Sequence, residues 1–277
     1  MAKKKRVLVF GAHPDDCDVK CGGIAIKYGD AGHIVKFVST TNGATGHHEI
    51  GGIELARRRY AEAQASKEIA KLADYQVLDW HTGELIPSVF FRKEIIKIIR
   101  EFLPDIIITH RPNDYHPDHR YTSQLVQDAS YIITVPNMVP LTDIMPKMPV
   151  IFYMWDTFKK PNPFCADIVV DIDNAMDRKL DMLHCHKSQM YEWIPFNQNV
   201  LKEVPESDAD RRRWLEESVF PRRNWGLEGA YRDRVIELYG EEKANSIRYI
   251  EAFELCEYGQ QIGLDKKSIS EIFPFYD

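Results

Sequence analysis

The chain has little of what marks a secreted, membrane-embedded or nucleic-acid-binding protein. Its 277 residues include only five cysteines, an odd number with no Cys-x-x-Cys pair. That excludes a paired disulfide framework and points to a reducing compartment. No apolar run approaches the roughly eighteen residues of a membrane span. Basic charge is also short: 36 Lys and Arg stand against 42 Asp and Glu, a net charge of -6. No nucleic-acid partner is therefore expected, because such proteins carry a basic face. The Gly-x-Gly-x-x-Gly order of a dinucleotide fingerprint is missing, as are internal repeats and low-complexity linkers. Lys3-Lys4-Lys5-Arg6 imitates the start of a signal peptide, but His13-Pro14-Asp15-Asp16 cuts the following apolar run after a few residues. It reads as a solvated lead-in, and the expected location is cytoplasmic.

What is present is an alternation of strands and helices. With 44% hydrophobic and 28% charged residues, the chain has enough apolar side chains for a sizeable core. Val7 to Gly11 reads as a buried strand, and His33 to Thr40, Tyr75 to Trp80, Asp105 to Thr109, Val150 to Trp155 and Ile168 to Ile172 as further strands. Between them lie helical stretches: one after the first strand containing Gly22-Gly23, one over Glu54 to Lys71, and one over Phe91 to Phe102, which buries Ile95, Ile96, Ile98 and Ile99 before Pro104. Others run from His116 through Tyr131 and from Asn174 into His186. This alternation predicts an α/β fold with a mostly parallel sheet flanked by helices. Residues 1–194 are expected to form the core and 195–277 a C-terminal extension packed on it. In the extension, Lys202 to Phe220 is a charge-dense solvated helix, Ser246 to Leu255 holds a last strand, and Trp193, Trp214 and Trp225 serve as apolar anchors.

Two polar clusters stand at strand ends. Val7-Leu8-Val9-Phe10-Gly11 empties into Ala12-His13-Pro14-Asp15-Asp16, and Ile106-Ile107-Ile108-Thr109 into His110-Arg111-Pro112-Asn113-Asp114-Tyr115-His116-Pro117-Asp118-His119. Each cluster alone reads equally well as a helix cap. Together they read as a site, since ligands of open α/β sheets gather beyond the carboxyl ends of parallel strands. His13, Asp16 and one histidine of the later cluster then meet, leaving Asp15 as an uncoordinated base. Three N/O ligands with an open position form a catalytic zinc arrangement. Asp118 lies between His116 and His119, where a carboxylate fixes the tautomer of an imidazole. His47 and His48, in the glycine-rich stretch after the second strand, are expected to be solvent-exposed. Cys17 and Cys21 are expected to pack in the core.

The Ala-His-Pro-Asp-Asp turn and the later His-Pro-Asp-His together resemble the LmbE-like or PIG-L family of metal-dependent N-deacetylases. Glu54-Leu55-Ala56-Arg57-Arg58-Arg59-Tyr60-Ala61-Glu62 is similar to that family's Glu-Leu…Arg…Glu helix, and His186-Lys187-Ser188-Gln189 to a later segment of it. The resemblance implies a Rossmann-like fold and an enzyme that removes an acetyl group from an N-acetylglucosamine-type sugar or related small amide. Its implied metal ligands are His13, Asp16 and His119. Asp15 becomes the general base and His116 the second catalytic residue, with Asp118 beside it. Arg59 binds substrate, a one-residue slip selecting Arg58 instead, and His186 joins the pocket. Zn(2+) is the implied cofactor, with Fe(2+) also suited to the set. The expected partner is a small N-acetylated substrate, no membrane is involved, and a homo-oligomer is compatible. The loops Asn42 to Gly52 and Pro136 to Pro149, the latter expected over the site's rim, are expected to choose the substrate. Two other classes share features with this reading: a non-haem Fe(II) oxygenase built on the same two-His-one-carboxylate set, and a non-catalytic sugar-binding relative.

Overall fold

Alternation along β1 (Arg6–Gly11) places Val7 and Val9 in one hydrophobic layer and Leu8 and Phe10 in the layer on the other face of a sheet. Strand β4 (Ile106–Thr109) does the same with Ile106 and Ile108 against Ile107. Both strands are apolar throughout because both of their faces are covered. The other strands are β2 (Ile34–Ser39), β3 (Asp74–Val77), β5 (Val150–Met154), β6 (Ile168–Asp171) and β7 (Ile250–Leu255). In this computed structural model, which describes residues 4–219 and 230–276, they form one sheet in the order β3-β2-β1-β4-β5-β7-β6. The first five are mutually parallel, and β7 is antiparallel to both of its neighbours. The expected α/β sheet flanked by helices is thus observed.

Helices α1 (Asp16–Asp30), α2 (Gly52–Ala70), α3 (Val89–Phe102), α4 (Pro117–Ile132) and α5 (Met176–Cys185) cover its faces. Helix α3 buries Ile95, Ile96, Ile98, Ile99 and Phe102, as the spacing predicted, and ends at Leu103 in a left-handed conformation before Pro104. Each such side chain contributes about 1.5–3 kcal/mol of burial. The chain winds outward from β1 to β2 and β3, then returns to place β4 on the other side of β1. That reversal opens a crevice between the carboxyl ends of β1 and β4, where both polar clusters sit.

Three expectations need correction. The division at residue 194 does not coincide with a break in the sheet, because β7 from the C-terminal region lies between β5 and β6. Its Glu251 reaches into the first helix, taking the N–H groups of Gly23 and Ile24 at 2.7 and 2.8 Å and the Lys179 ammonium at 2.6 Å. A Cβ on Gly23 would stand 2.7 Å from Ile172 and 2.9 Å from that carboxylate, so Gly23 serves close packing. The stretch from Pro136 to Pro149 lies at the wrong edge for a rim. The 16 residues of α4 carry the chain about 24 Å away from the carboxyl edge, and the buried Arg100 there donates to the carbonyls of Ile133, Val135 and Met138. The charge-dense segment is broken into a 3-10 turn, the short helix Asp208–Trp214 and a π-turn rather than one helix. Trp214 packs against the core as expected, whereas Trp225 lies outside the described residues. Among the described residues, no helix is long and apolar enough to cross a membrane.

Candidate active site

Three atoms converge where β1 and β4 end. His13 Nδ1 lies 3.5 Å from Asp16 Oδ2, His119 Nε2 lies 3.5 Å from the same oxygen, and the two nitrogens are 3.2 Å apart. Ligand atoms around a tetrahedral zinc with bonds of 2.0–2.1 Å stand about 3.3 Å apart, so the triangle has the edge length of one face of such a site. The donor set also fits. Asp16 Oδ2 accepts the N–H groups of Ala12 and His13 at 3.0 and 2.8 Å, and a carboxylate has capacity beyond two bonds. The outer nitrogens face acids: His13 Nε2 meets Asp118 Oδ2 at 3.3 Å, and His119 Nδ1 lies 3.1 Å from Asp114 Oδ2, close but poorly aligned for a hydrogen bond. Acids behind imidazoles place the ring protons outward and turn the lone pairs toward the triangle.

The electrostatics agree with a cation site. Burial opposes charge on His13, but Asp118 and Asp16 outweigh it and raise its pKa to about 9. Burial also works against the Asp16 carboxylate, yet His119 and His110 hold its pKa well below the ordinary value. A divalent cation would take the place of the shared proton, so binding would release it.

Asp15 is buried beside this set, and Arg59 Nη2 donates to its Oδ1 at 2.6 Å. Arg59 is itself buried, under Gly43, whose φ of +75° and close approach leave no room for a side chain: a Cβ there would stand 2.5 Å from Arg59 Cδ. Its neighbour Arg58 points elsewhere, holding both oxygens of Glu192 at 2.7 and 2.5 Å. Of the two arginines it is Arg59 that reaches the site, and the partner it holds there is Asp15. His47 and His48 are not solvent-exposed: His47 hydrogen-bonds Glu192 at 2.8 Å and His48 stacks on Phe196 at 4.2 Å.

His116 caps α4, its Nδ1 accepting the N–H of Asp118 at 3.2 Å. Burial and the charges of His13 and His119 push its pKa down to about 4, so it is neutral with its hydrogen on Nε2. The Asp118 carboxylate hydrogen-bonds neither of the two helix histidines, its Oδ2 staying 3.9 Å from His116 Nδ1. Adjacent helical residues point about 100° apart, and its carboxylate faces His13 and the Gly83 N–H instead, the latter at 2.7 Å. His186 is not on the pocket surface either. It is fully buried behind α1, 3.3 Å from Asp18 Oδ1. The rest of its motif clamps neighbours: Ser188 bonds Glu62 through N and Oγ at 2.9 and 2.6 Å, and Gln189 Nε2 donates to Gly46 O at 3.0 Å.

Sequence reasoning passed over His110 and Asp114. His110 Nε2 accepts the Ala12 N–H at 3.1 Å and lies 3.3 Å from Asp16; burial pushes its pKa down to about 4. Both sit inside the second cluster, so their position at a strand end was a usable signal. Gly83 carried none, because a backbone N–H leaves no trace in side-chain pattern.

The model of the PIG-L family, GlcNAc-PI de-N-acetylase, matches residues 8–130. The diacetylchitobiose deacetylase of Thermococcus kodakarensis is 33% identical over 211 residues, covering 71% of this chain and 76% of that one. This chain belongs to the PIG-L family. A probable N-acetyl-alpha-D-glucosaminyl L-malate deacetylase of Bacillus cereus is 28% identical over 234 residues, covering 80% of this chain and 99% of its own. Among solved structures, the N,N'-diacetylchitobiose deacetylase of Pyrococcus horikoshii superposes with a TM-score of 0.66 at 27% identity, over 92% of this chain and 84% of that one. The match within the PIG-L family covers both polar clusters, and these relatives carry names of amide-hydrolysing enzymes.

Proposed function

We propose that this PIG-L protein is a metal-dependent hydrolase that removes the acetyl group from the amide nitrogen of an N-acetylglucosamine-type amino sugar. The observation that carries the reading is the triangle of His13 Nδ1, Asp16 Oδ2 and His119 Nε2 at 3.2–3.5 Å, with Asp15 beside it. These three residues would hold the ion, and zinc suits two nitrogens and a carboxylate oxygen, with Fe(II) also accommodated. When bound, such an ion acts as a Lewis acid on the acyl oxygen and makes a water acidic enough to attack near neutral pH.

The chain's own side chains supply the proton traffic. Asp15 is the base: Arg59 occupies its Oδ1, which leaves Oδ2 to accept the proton of the attacking water. His116 faces the developing charge from the other side. Its Nδ1 is committed to the Asp118 N–H, so Nε2–H is the group that steadies the oxyanion by a hydrogen bond, and Asp15 returns to the departing amine the proton it took from the water. Asp118 keeps the His13 ring turned, and Arg59 keeps the Asp15 carboxylate oriented. A reducing compartment, the cytoplasm, suits five free cysteines.

The test incubates the zinc-loaded protein, with a chelator-stripped control, with N,N'-diacetylchitobiose and other N-acetylated amino sugars and detects free primary amine. Amine release that the chelator abolishes is the expected result. Stoichiometric zinc with no amine from any such sugar would overturn the reading, and oxygen uptake instead would favour the oxygenase.

A further inference from the structure

Beside the triangle stands an aromatic side chain that the proton chemistry does not use. Tyr115, in the turn between β4 and α4, is 70% exposed. Its ring centre lies 5.6 Å from those of both His116 and His119, at 87° and 74°. A large exposed ring at the mouth of a site is a candidate contact for a ligand. This one is also held in position. Phe158 lies 5.9 Å away, on a segment that the buried Arg111 draws inward. Arg111 Nη1 reaches Asp156 Oδ1 at 2.9 Å and Phe158 O at 3.2 Å, and Nη2 reaches Asn162 O at 2.7 Å. From the opposite side Arg120 donates to the carbonyls of Asp114 and Tyr115 at 2.7 and 3.0 Å.

We infer that Tyr115 is the platform for the sugar ring of the substrate, an inference that rests on the amino-sugar reading above. A pyranose with equatorial substituents carries its hydroxyls around the rim and C–H bonds on its faces. The positive ends of those C–H bonds meet the negative face of an aromatic ring, and a tyrosine adds a polar tip at the wet edge. Stacked there, one step from His116 and His119, the sugar has its orientation set before its acetamido group engages the triangle. Phe158 buttresses the platform, and Arg111 is a positioning residue acting through Phe158. The platform selects for a ring: an open-chain N-acetyl amine has no face to offer it.

The experiment compares wild type with Tyr115→Ala and Tyr115→Phe, each checked for unchanged zinc content. Kinetics are measured on N,N'-diacetylchitobiose and on the open-chain N-acetylethanolamine. Tyr115→Ala is expected to raise KM for the disaccharide by roughly tenfold, the scale of one lost aromatic contact, with little change for the open-chain amide. Tyr115→Phe should behave as wild type, since the face and not the hydroxyl is used. In parallel, saturation-transfer NMR on chelator-stripped protein reads binding of the disaccharide without turnover. The axial ring protons should receive the strongest transfer in wild type and Tyr115→Phe, and lose it in Tyr115→Ala. Sugar binding of this pattern without amine release from the loaded enzyme would sink the deacetylase reading and leave the platform standing. Equal transfer in wild type and Tyr115→Ala, no transfer in wild type, or Tyr115→Phe as damaged as Tyr115→Ala would overturn the platform.

Discussion

Asp16 at the end of β1 and Glu251 on β7 are both carboxylates taken out of water beside nitrogen groups, and their surroundings differ in one respect. Around Glu251 the partners close in: two helix N–H groups and the Lys179 ammonium lie within 2.6–2.8 Å. Around Asp16 the backbone N–H groups are equally near, but three imidazole nitrogens stop at 3.3–3.5 Å. Glu251 joins β7 to α1 and α5 with its partners satisfied, which is what a structural ion pair requires. Asp16 instead shares its Oδ2 among His13, His110 and His119, at the spacing that ligands of one tetrahedral ion would have.

The difference is open to direct attack, and the largest effect belongs to the open set. His119→Ala should release most bound metal and with it the amine-releasing activity, while leaving a folded protein; elemental analysis of the purified variant at near-stoichiometric metal would refute the ligand assignment. Next, Asp15→Asn keeps shape but cannot accept a proton, so kcat should fall by roughly 10²–10⁴ with metal retained. Asp16→Asn, one residue on, should lose metal as well, and the pair of measurements separates base from ligand. In the closed set, Lys179→Met strands a buried carboxylate and should cost about 3–5 kcal/mol in urea unfolding without lowering metal affinity. A metal loss there would show that the two regions are not independent.

A smaller effect comes from the support behind a ligand. Asp118→Asn removes the charge that faces His13 Nε2 and should weaken metal affinity about 10–100-fold, measured by competition with a chelator; unchanged affinity would mean that the Gly83 contact alone orients Asp118's surroundings. The smallest concerns His186. Burial opposes its charge, but Asp18, with Asp15 and Glu62 further off, raises its pKa above the ordinary 6.5. A pKa raised on folding contributes stability that is complete below the unfolded value and is lost as pH rises through the folded value. The stability gap between wild type and His186→Gln should therefore be wider at pH 5.5 than at pH 8.5; a gap that widens with pH would mean that the ring is held neutral.

Much of the site was legible because its members sit where strand patterns stop. His13, Asp15 and Asp16 follow β1, and His116 and His119 open α4; parallel neighbours necessarily end at one edge. Less was legible about what each side chain faces. Asp118 reads as a partner of His116 and His119 on either side of it and turns instead to His13 across the crevice. His186 shares a motif with Ser188 and Gln189, yet all three serve as ties, to Asp18, Glu62 and Gly46. The proline-rich stretch looked like a rim, and only the direction of α4 shows that it lies at the far edge.

The sequence by itself determined the alternation of elements, the apolar faces of β1, β4 and α3, and the identity of the residues delivered to the carboxyl edge. These follow from short-range chemistry: periodicity, turn residues and the two-sided burial of a parallel strand. The tertiary structure alone decided that β7 enters between β5 and β6, that Arg59 holds Asp15, and that Asp118 orients His13. Those contacts depend on the angle and height at which helices cross the sheet, which many distant side chains set together and no local pattern records.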